Sequence, residues 1–201
     1  MRKALPALGV LAHGPAVALL ALAAGAPGCA GGPTGRPQAG ALPMKKLTVR
    51  STAFQEGQPI PARHTGDGQD LPPPLEWDAP PEGTRSLALV CEDPDAPRGT
   101  WIHWVLFNLP ADARAVDESV PRDRTLPNGA AQGTNDFGKI AYNGPAPPPG
   151  KPHRYFFKVY ALDTRLDGLQ PGATRQQLLD AIQGHVLAEG QTMGTYGRPK
   201  K

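Results

Sequence analysis

Charge is scarce in this chain: Asp, Glu, Lys and Arg together make up 19% of its 201 residues. The formal charge is +3, and Arg2 and Lys3 belong to a leader read as removable. Without them 19 basic residues face 18 acidic ones, and no basic face emerges. A nucleic-acid partner is therefore not expected. Cysteine is almost absent. Cys29 sits in a small-residue leader and Cys91 inside an apolar run. Pairing them would drag the leader into the core, so no disulfide framework is expected and Cys91 reads as a buried thiol. The chain also lacks G-x-S-x-G, and Ser51, Ser86 and Ser119 stand in unremarkable surroundings. An activated hydroxyl nucleophile has no sequence signature here. No H-x-H or H-x-x-E spacing announces a metal site. The apolar run from Leu8 to Ala24 is interrupted by His13, Gly14 and Pro15, which makes it a poor membrane-spanning helix.

Glycine and proline are what the chain has in excess, 24 and 25 residues. Such a composition favours many short strands joined by turns. Residues 1–28 read as a secretory signal: a basic start, an apolar stretch and small residues. Ala26-Pro27-Gly28-Cys29 resembles a bacterial lipoprotein processing site, with Cys29 as the lipidated mature N-terminus. Residues 29–44 are Gly- and Pro-rich and nearly uncharged, a flexible tether. The folded domain is expected over 45–201, exported from a bacterial cytoplasm and held at a membrane facing the periplasm only through lipid on Cys29.

Within the domain, Lys46 to Ser51 alternates as a first strand. Residues 55–84 form a long irregular passage around a short strand at Leu75-Glu76-Trp77. His64, Asp67 and Asp70 in it suggest either a metal cluster or, more simply, turn chemistry. Two buried strands follow, SLALV and VLFNL, flanking CEDPDAPRGTWIHW. Asp93 and Asp95 thus sit in a Pro-stiffened turn at the end of one strand, and His103 near the start of the next. Leu126 to Gly138 reads as coil. Residues 133–140 mimic a phosphate-binding loop, but Ile140 stands where Ser or Thr must hold magnesium and Gly144-Pro145 bars a following helix. Five prolines between Pro145 and Pro152 stiffen a loop leading into Arg154–Leu162, a strand read as largely buried on both faces. Thr174 to Gln177 has capping-box spacing for a helix of about ten residues that stops at Gly184. His185 to Tyr196 reads as a closing strand.

Taken singly, each His is more simply a structural residue. Two strands, however, each present a His at a junction with a Pro-rich loop: His103 and His153. With Gly144, Pro145 and Tyr155 they make an anion site in which Asp93 fixes a His tautomer. The alternatives left open are a His/Asp-based or metal-assisted hydrolase on the same residues, and an interaction protein with a vestigial pocket.

These motifs resemble the phosphatidylethanolamine-binding proteins, in particular the bacterial Raf-kinase-inhibitor-like branch. Asp93-Pro94-Asp95-Ala96-Pro97 is similar to the family's D-P-D-x-P signature, and Trp101-Ile102-His103-Trp104 to its histidine segment. Gly144-Pro145 through His153-Arg154-Tyr155 is similar to its G-P…G-x-x-H-R-Y segment. NDFGKIAYNGPAPPPG and GHVLAEGQTMGTYGR resemble the bacterial branch, and the likeness spans about residues 46–198. It implies a mainly β fold of two antiparallel sheets with one or two short peripheral helices. It also implies a small non-enzymatic pocket for phosphoryl or other anionic head groups such as phosphorylethanolamine. The implied ligand-binding positions are Asp93, Asp95, Pro97, His103, Gly144, Pro145, His153 and Tyr155, with no catalytic residue, metal or cofactor. The histidines would donate hydrogen bonds to the anion. A protein partner, such as an inhibited protease or kinase, is a further implication. The lipid-contacting C-terminal helix of animal members has no counterpart before Lys201, so a head group rather than a whole lipid is the expected ligand.

Overall fold

A computed structural model describes residues 45–200. The leader, Cys29 and the tether lie outside the described residues. Among the described residues nine strands and one α-helix follow one another, with a short 3-10 helix at Ala62–His64 between the second and third strands: β1 (Lys45–Lys46), β2 (Val49–Ser51), β3 (Leu75–Trp77), β4 (Ser86–Asp93), β5 (Trp101–Pro110), β6 (Ala115–Val116), β7 (Ala131–Gln132), β8 (His153–Leu162), α1 (Arg175–Ile182) and β9 (Val186–Tyr196). The larger sheet runs β1-β9-β8-β4-β5-β7, the smaller β2-β3-β6. Every pairing is antiparallel except β1 with β9.

The expected first strand is in fact two. Lys45 and Lys46 pair with Ala188 and Glu189 of the large sheet, whereas Val49–Ser51 pairs with β3 of the small one. The crossing happens at Leu47, whose N–H still donates to the Glu189 carbonyl, 2.8 Å. The neighbouring Gly190 lets this happen: a Cβ there would lie 2.0 Å from the Leu47 carbonyl oxygen. β7 is likewise an addition to the sequence reading, which has coil there. Ala131 and Gln132 pair with Phe107 and Leu106 at the sheet edge.

β4 is the spine of the large sheet, bonded to β5 on one side and β8 on the other. Its two faces serve two apolar layers. Leu87, Leu89 and Cys91 pack between the sheets with Trp104, Leu106, Tyr155, Phe157 and Val159. Ala88 and Val90 face the other way, against Val105, Phe107, Leu162, Leu178 and Ile182. That double burial is why the sequence shows an unbroken apolar run rather than alternation. β8 is more one-sided than expected. Tyr155, Phe157, Val159 and Ala161 are buried, but Phe156, Lys158 and Tyr160 are half-exposed. Its outer face lies under a polar cluster: buried Glu92 pairs with Lys158 and with Arg175 of α1. Helix α1 is eight residues long, and its capping box is present, Thr174 with Gln177. Gly184 turns the chain at φ +80°. Burying each large core side chain contributes about 1.5–3 kcal/mol.

A register shift between Cys91 and Glu92 organises the site. Cys91 pairs with Trp104 and Glu92 with Ile102, so His103 is the extra residue of a β-bulge. Strict alternation would put His103 and Trp104 on opposite faces. The bulge resets the phase: Ile102 and Val105 share the α1 face, while His103 lies edge-on to Tyr155 on the face that Trp104 also serves. Bulges re-aim side chains in this way beside functional sites.

Candidate functional site

Where the β4–β5 turn, the bulge and the proline loop meet there is a cavity of about 300 Å³. Asp93, His103, His153 and Tyr155 give it a polar floor. Trp101, Phe137, Pro97, Ala146, Pro147 and Pro148 wall it, with Ala96 and Arg98 completing the lining.

The floor is wired from behind. Asp93 is 3% exposed, and its Oδ2 accepts from His153 Nδ1 at 2.8 Å while Oδ1 accepts the Asp95 N–H at 2.8 Å. One carboxylate thereby shapes the turn and fixes the imidazole. His103 Nδ1 donates to the Asn143 carbonyl at 2.6 Å, and Asn143 N–H returns a bond to the His103 carbonyl at 3.0 Å. A carbonyl only accepts, so the His103 hydrogen sits on Nδ1. Burial lowers the His103 pKa, outweighing the bond to Asn143, so the neutral ring is favoured. Buried Asn135 ties this region together, donating to the Ala141 carbonyl and to Asn143 Oδ1, both at 2.9 Å. The Tyr155 ring stands edge-on to His103, centroids 5.2 Å apart. Its hydroxyl is buried beside Asp93 without a well-formed hydrogen bond. Burial first, and the Asp93 charge second, push its pKa up, so it stays a phenol.

Five of the eight expected residues line the cavity: Asp93, Pro97, His103, His153 and Tyr155. Asp95, Gly144 and Pro145 stand behind it. The Asp95 carboxylate is taken by Arg154, through the backbone N–H at 2.9 Å and the guanidinium at 2.8 and 2.7 Å. That guanidinium holds the Asp95 pKa down to about 2. The pair bolts the acidic turn to β8, which sets the Asp93–His153 distance. Gly144 spends its N–H on Asp70 Oδ1, 2.6 Å, and the Pro145 carbonyl accepts from Gly66, 2.8 Å. Gly144 is glycine because the chain passes tightly there: a Cβ would lie 2.5 Å from the His64 carbonyl.

His64, Asp67 and Asp70 do not converge. His64 Nδ1 bonds the Leu71 carbonyl, Asp67 pairs with Arg198 and Tyr196, and Asp70 holds Asn143, Gly144 and Arg122. Among the described residues no group of His, Cys, Asp or Glu is arranged to hold a metal ion. Asp67 and Arg198 have another use. Arg198 Nη1 reaches the carbonyls of Ala146 and Pro147 at 3.3 Å, clamping the proline wall. Sequence reasoning passed over Arg198, and also Arg98, Trp101 and Phe137 as lining. Phe137 offered a signal: it lies in a segment resembling the bacterial branch, and it is a large hydrophobe left 41% exposed. Its ring meets Trp101 and His103 edge-on, at 5.6 and 5.3 Å. Cys91 is fully buried, and burial pushes its thiol pKa well up, which leaves it unreactive.

Fold and cavity define a two-sheet β protein with a small His- and Asp-floored pocket at the end of its central strands. Comparison with known proteins carries this further. A family model described as phosphatidylethanolamine-binding protein matches residues 50–197. A UPF0098 protein of Methanothermobacter thermautotrophicus is 49% identical over 152 residues, 76% of this chain and 99% of the relative. One from Aquifex aeolicus is 43% identical over 76% of this chain and 89% of its own length. Among solved structures, the Chlamydia trachomatis protein CT736, described as a putative phosphatidylethanolamine-binding protein homolog, superposes with a TM-score of 0.69 at 38% identity, covering 77% of this chain and 99% of its own. Escherichia coli YbcL, described as a member of the mammalian family, gives 0.70 at 34%, covering 76% and 98%. The chain belongs to the phosphatidylethanolamine-binding protein family, and that membership supports a function of the binding type.

Proposed function

We propose that the protein is a non-enzymatic receptor for small phosphoryl or related anionic groups, bound between His103, His153 and Tyr155 and flanked by Arg98. The observation that carries this reading is the pair of imidazoles anchored through Nδ1, one by Asp93 and one by the Asn143 carbonyl. Their Nε2 atoms have no partner among the described residues and are not shut away from solvent. Rigid polar atoms at the bottom of an apolar-walled cavity match a small polar head group. Arg98 is the only Lys or Arg among the cavity-lining residues, and no carboxylate pairs with it among the described ion pairs. Asp95, Gly144 and Pro145 contribute by holding the turn and the loop.

The hydrolase alternative draws on the Asp93–His153 pair, which has the geometry of an oriented base. Against it, no Ser, Thr or Cys stands among the lining residues to act as nucleophile. Export and a lipid anchor on Cys29 remain part of the proposal, as does inhibition of a partner enzyme through an anionic group inserted in the cavity.

Calorimetric titration of the protein with phosphate and O-phosphorylethanolamine tests the reading, with p-nitrophenyl phosphate turnover and metal content assayed on the same sample. Saturable binding without turnover, weakened tenfold or more by His153→Ala, is the expected result. Turnover that tracks Asp93 and His153 would replace the receptor with the enzyme.

A further inference from the structure

Resting on the anion-site reading, the hydrogen-bond polarity of the floor narrows the ligand class. The Asn143 carbonyl accepts from His103 Nδ1 at 2.6 Å, which forces the hydrogen onto that nitrogen. Burial keeps the ring neutral, so His103 Nε2 meets the cavity as a lone pair, an acceptor where the family resemblance implied a donor. It is held there by a buried ring, wedged edge-on between Phe137 and Tyr155, with no room to flip without giving up the Asn143 bond. Its neighbours differ in kind: Arg98 brings a guanidinium, a donor only, to the cavity lining, and the Tyr155 hydroxyl is shut away from solvent beside Asp93. His153 is fixed through Nδ1 by Asp93 at 2.8 Å, which leaves Nε2 as its free ring nitrogen. The nearby Asp136 carboxylate is occupied by the Ile102 N–H at 2.8 Å.

We infer that the site selects an anion that also carries an acidic O–H: a singly protonated phosphate or phosphate monoester, whose hydroxyl donates to His103 Nε2 while its remaining oxygens accept from Arg98. A fully deprotonated dianion such as sulfate offers His103 only another lone pair. A phosphodiester, the linkage of a glycerophospholipid, has no P–O–H at any pH. The cavity thus distinguishes a soluble monoester from an intact lipid by a single hydrogen atom. Buried polar atoms left unpaired are the strongest basis for rejecting a near-isosteric ligand.

The test compares methyl phosphate, inorganic phosphate, dimethyl phosphate and sulfate by calorimetry at pH 6. Near that pH a phosphate monoester retains much of its monoanion, since its second pKa is ~6. Methyl phosphate and dimethyl phosphate then have similar size and similar charge, and differ in the O–H. The expected result is binding of methyl phosphate and inorganic phosphate at least tenfold tighter than dimethyl phosphate or sulfate. Equal binding of all four would overturn the inference and leave the anion site standing. No binding of any would remove the anion site and the inference with it. A second readout needs no ligand. Long-range proton–nitrogen correlation spectra of the imidazoles should show His103 as the neutral Nδ1–H tautomer, and an Nε2–H tautomer would refute the assignment.

Discussion

Arg98 is a side chain whose importance depends on where the Pro97–Gly99 turn puts it. It lies in a sequence that reads as turn, and only the fold brings it to the rim of the cavity. If it supplies the cation for a bound anion, Arg98→Gln should weaken phosphate binding about tenfold and flatten its dependence on ionic strength, as read by titration at two salt concentrations. Arg98→Lys should retain part of the affinity, because a point charge replaces a planar fork. The ligand affinity itself should rise as pH falls from 8 to 6. Protonation of the phosphate, whose second pKa is ~6, adds the hydrogen His103 accepts. A flat profile in calorimetry over that range would contradict this contribution.

At the scale of elements, the proline loop is a wall that cannot hold itself up. Proline lacks an N–H, so residues 145–149 cannot build a ladder, and their carbonyls must find outside donors. Arg198, beyond the end of β9, is that donor for Ala146 and Pro147, as the Gly66 N–H is for Pro145, and Asp67 and Tyr196 hold Arg198 in place. Arg198→Ala should therefore speed amide hydrogen exchange in the non-proline residues of 144–151 and weaken phosphate binding about three- to tenfold, while leaving exchange in β4 and β8 unchanged. Gly144→Ala should act more severely. Its Cβ would strike the His64 carbonyl and the Thr65 backbone, so a loss of thermal stability should accompany the loss of binding. The β5 bulge acts in the same way as a positioning device, and its histidine is aimed by a register shift rather than by a loop.

For the whole molecule, burial of histidine couples folding to pH. His64 and His103 both have their pKa lowered, burial being the largest cause. Below an ordinary histidine pKa of ~6.5 the unfolded chain binds protons that the folded chain resists. Stability is therefore present above that pH and is lost as pH falls through it. The depressed carboxylates, Asp67 and Asp95, act lower, near and below pH ~4. The thermal midpoint should drop between pH 7 and pH 5. His64→Gln, which keeps a donor for the Leu71 carbonyl, should make that drop shallower. At the same scale, Cys29→Ser should move the protein from the membrane to the aqueous fraction of its host if lipid on Cys29 is the anchor. No shift in fractionation would remove the anchor from the proposal.

Much of the fold was legible because each central strand carries its own signal. SLALV is apolar on both faces since both faces are covered, and Thr174–Gln177 caps its helix by local chemistry alone. The D-P-D-x-P, W-x-H and G-P…H-R-Y segments carried the family and most of the floor, as side-chain types in fixed order. What was not legible depends on contacts between distant segments. The split of the first strand turns on a close approach between Leu47 and Gly190. Asp95 and Gly144 belong to the motifs yet stand behind the cavity, because Arg154 and Asp70 take their polar groups. The direction of the His103 hydrogen depends on the carbonyl of Asn143, forty residues away in sequence. Residue types and their order thus determined the family and the chemistry available to the site. Which atoms face the ligand, and whether they donate or accept, was decided by the tertiary structure, because hydrogen-bond polarity is set by whichever buried partner occupies the other side of the ring.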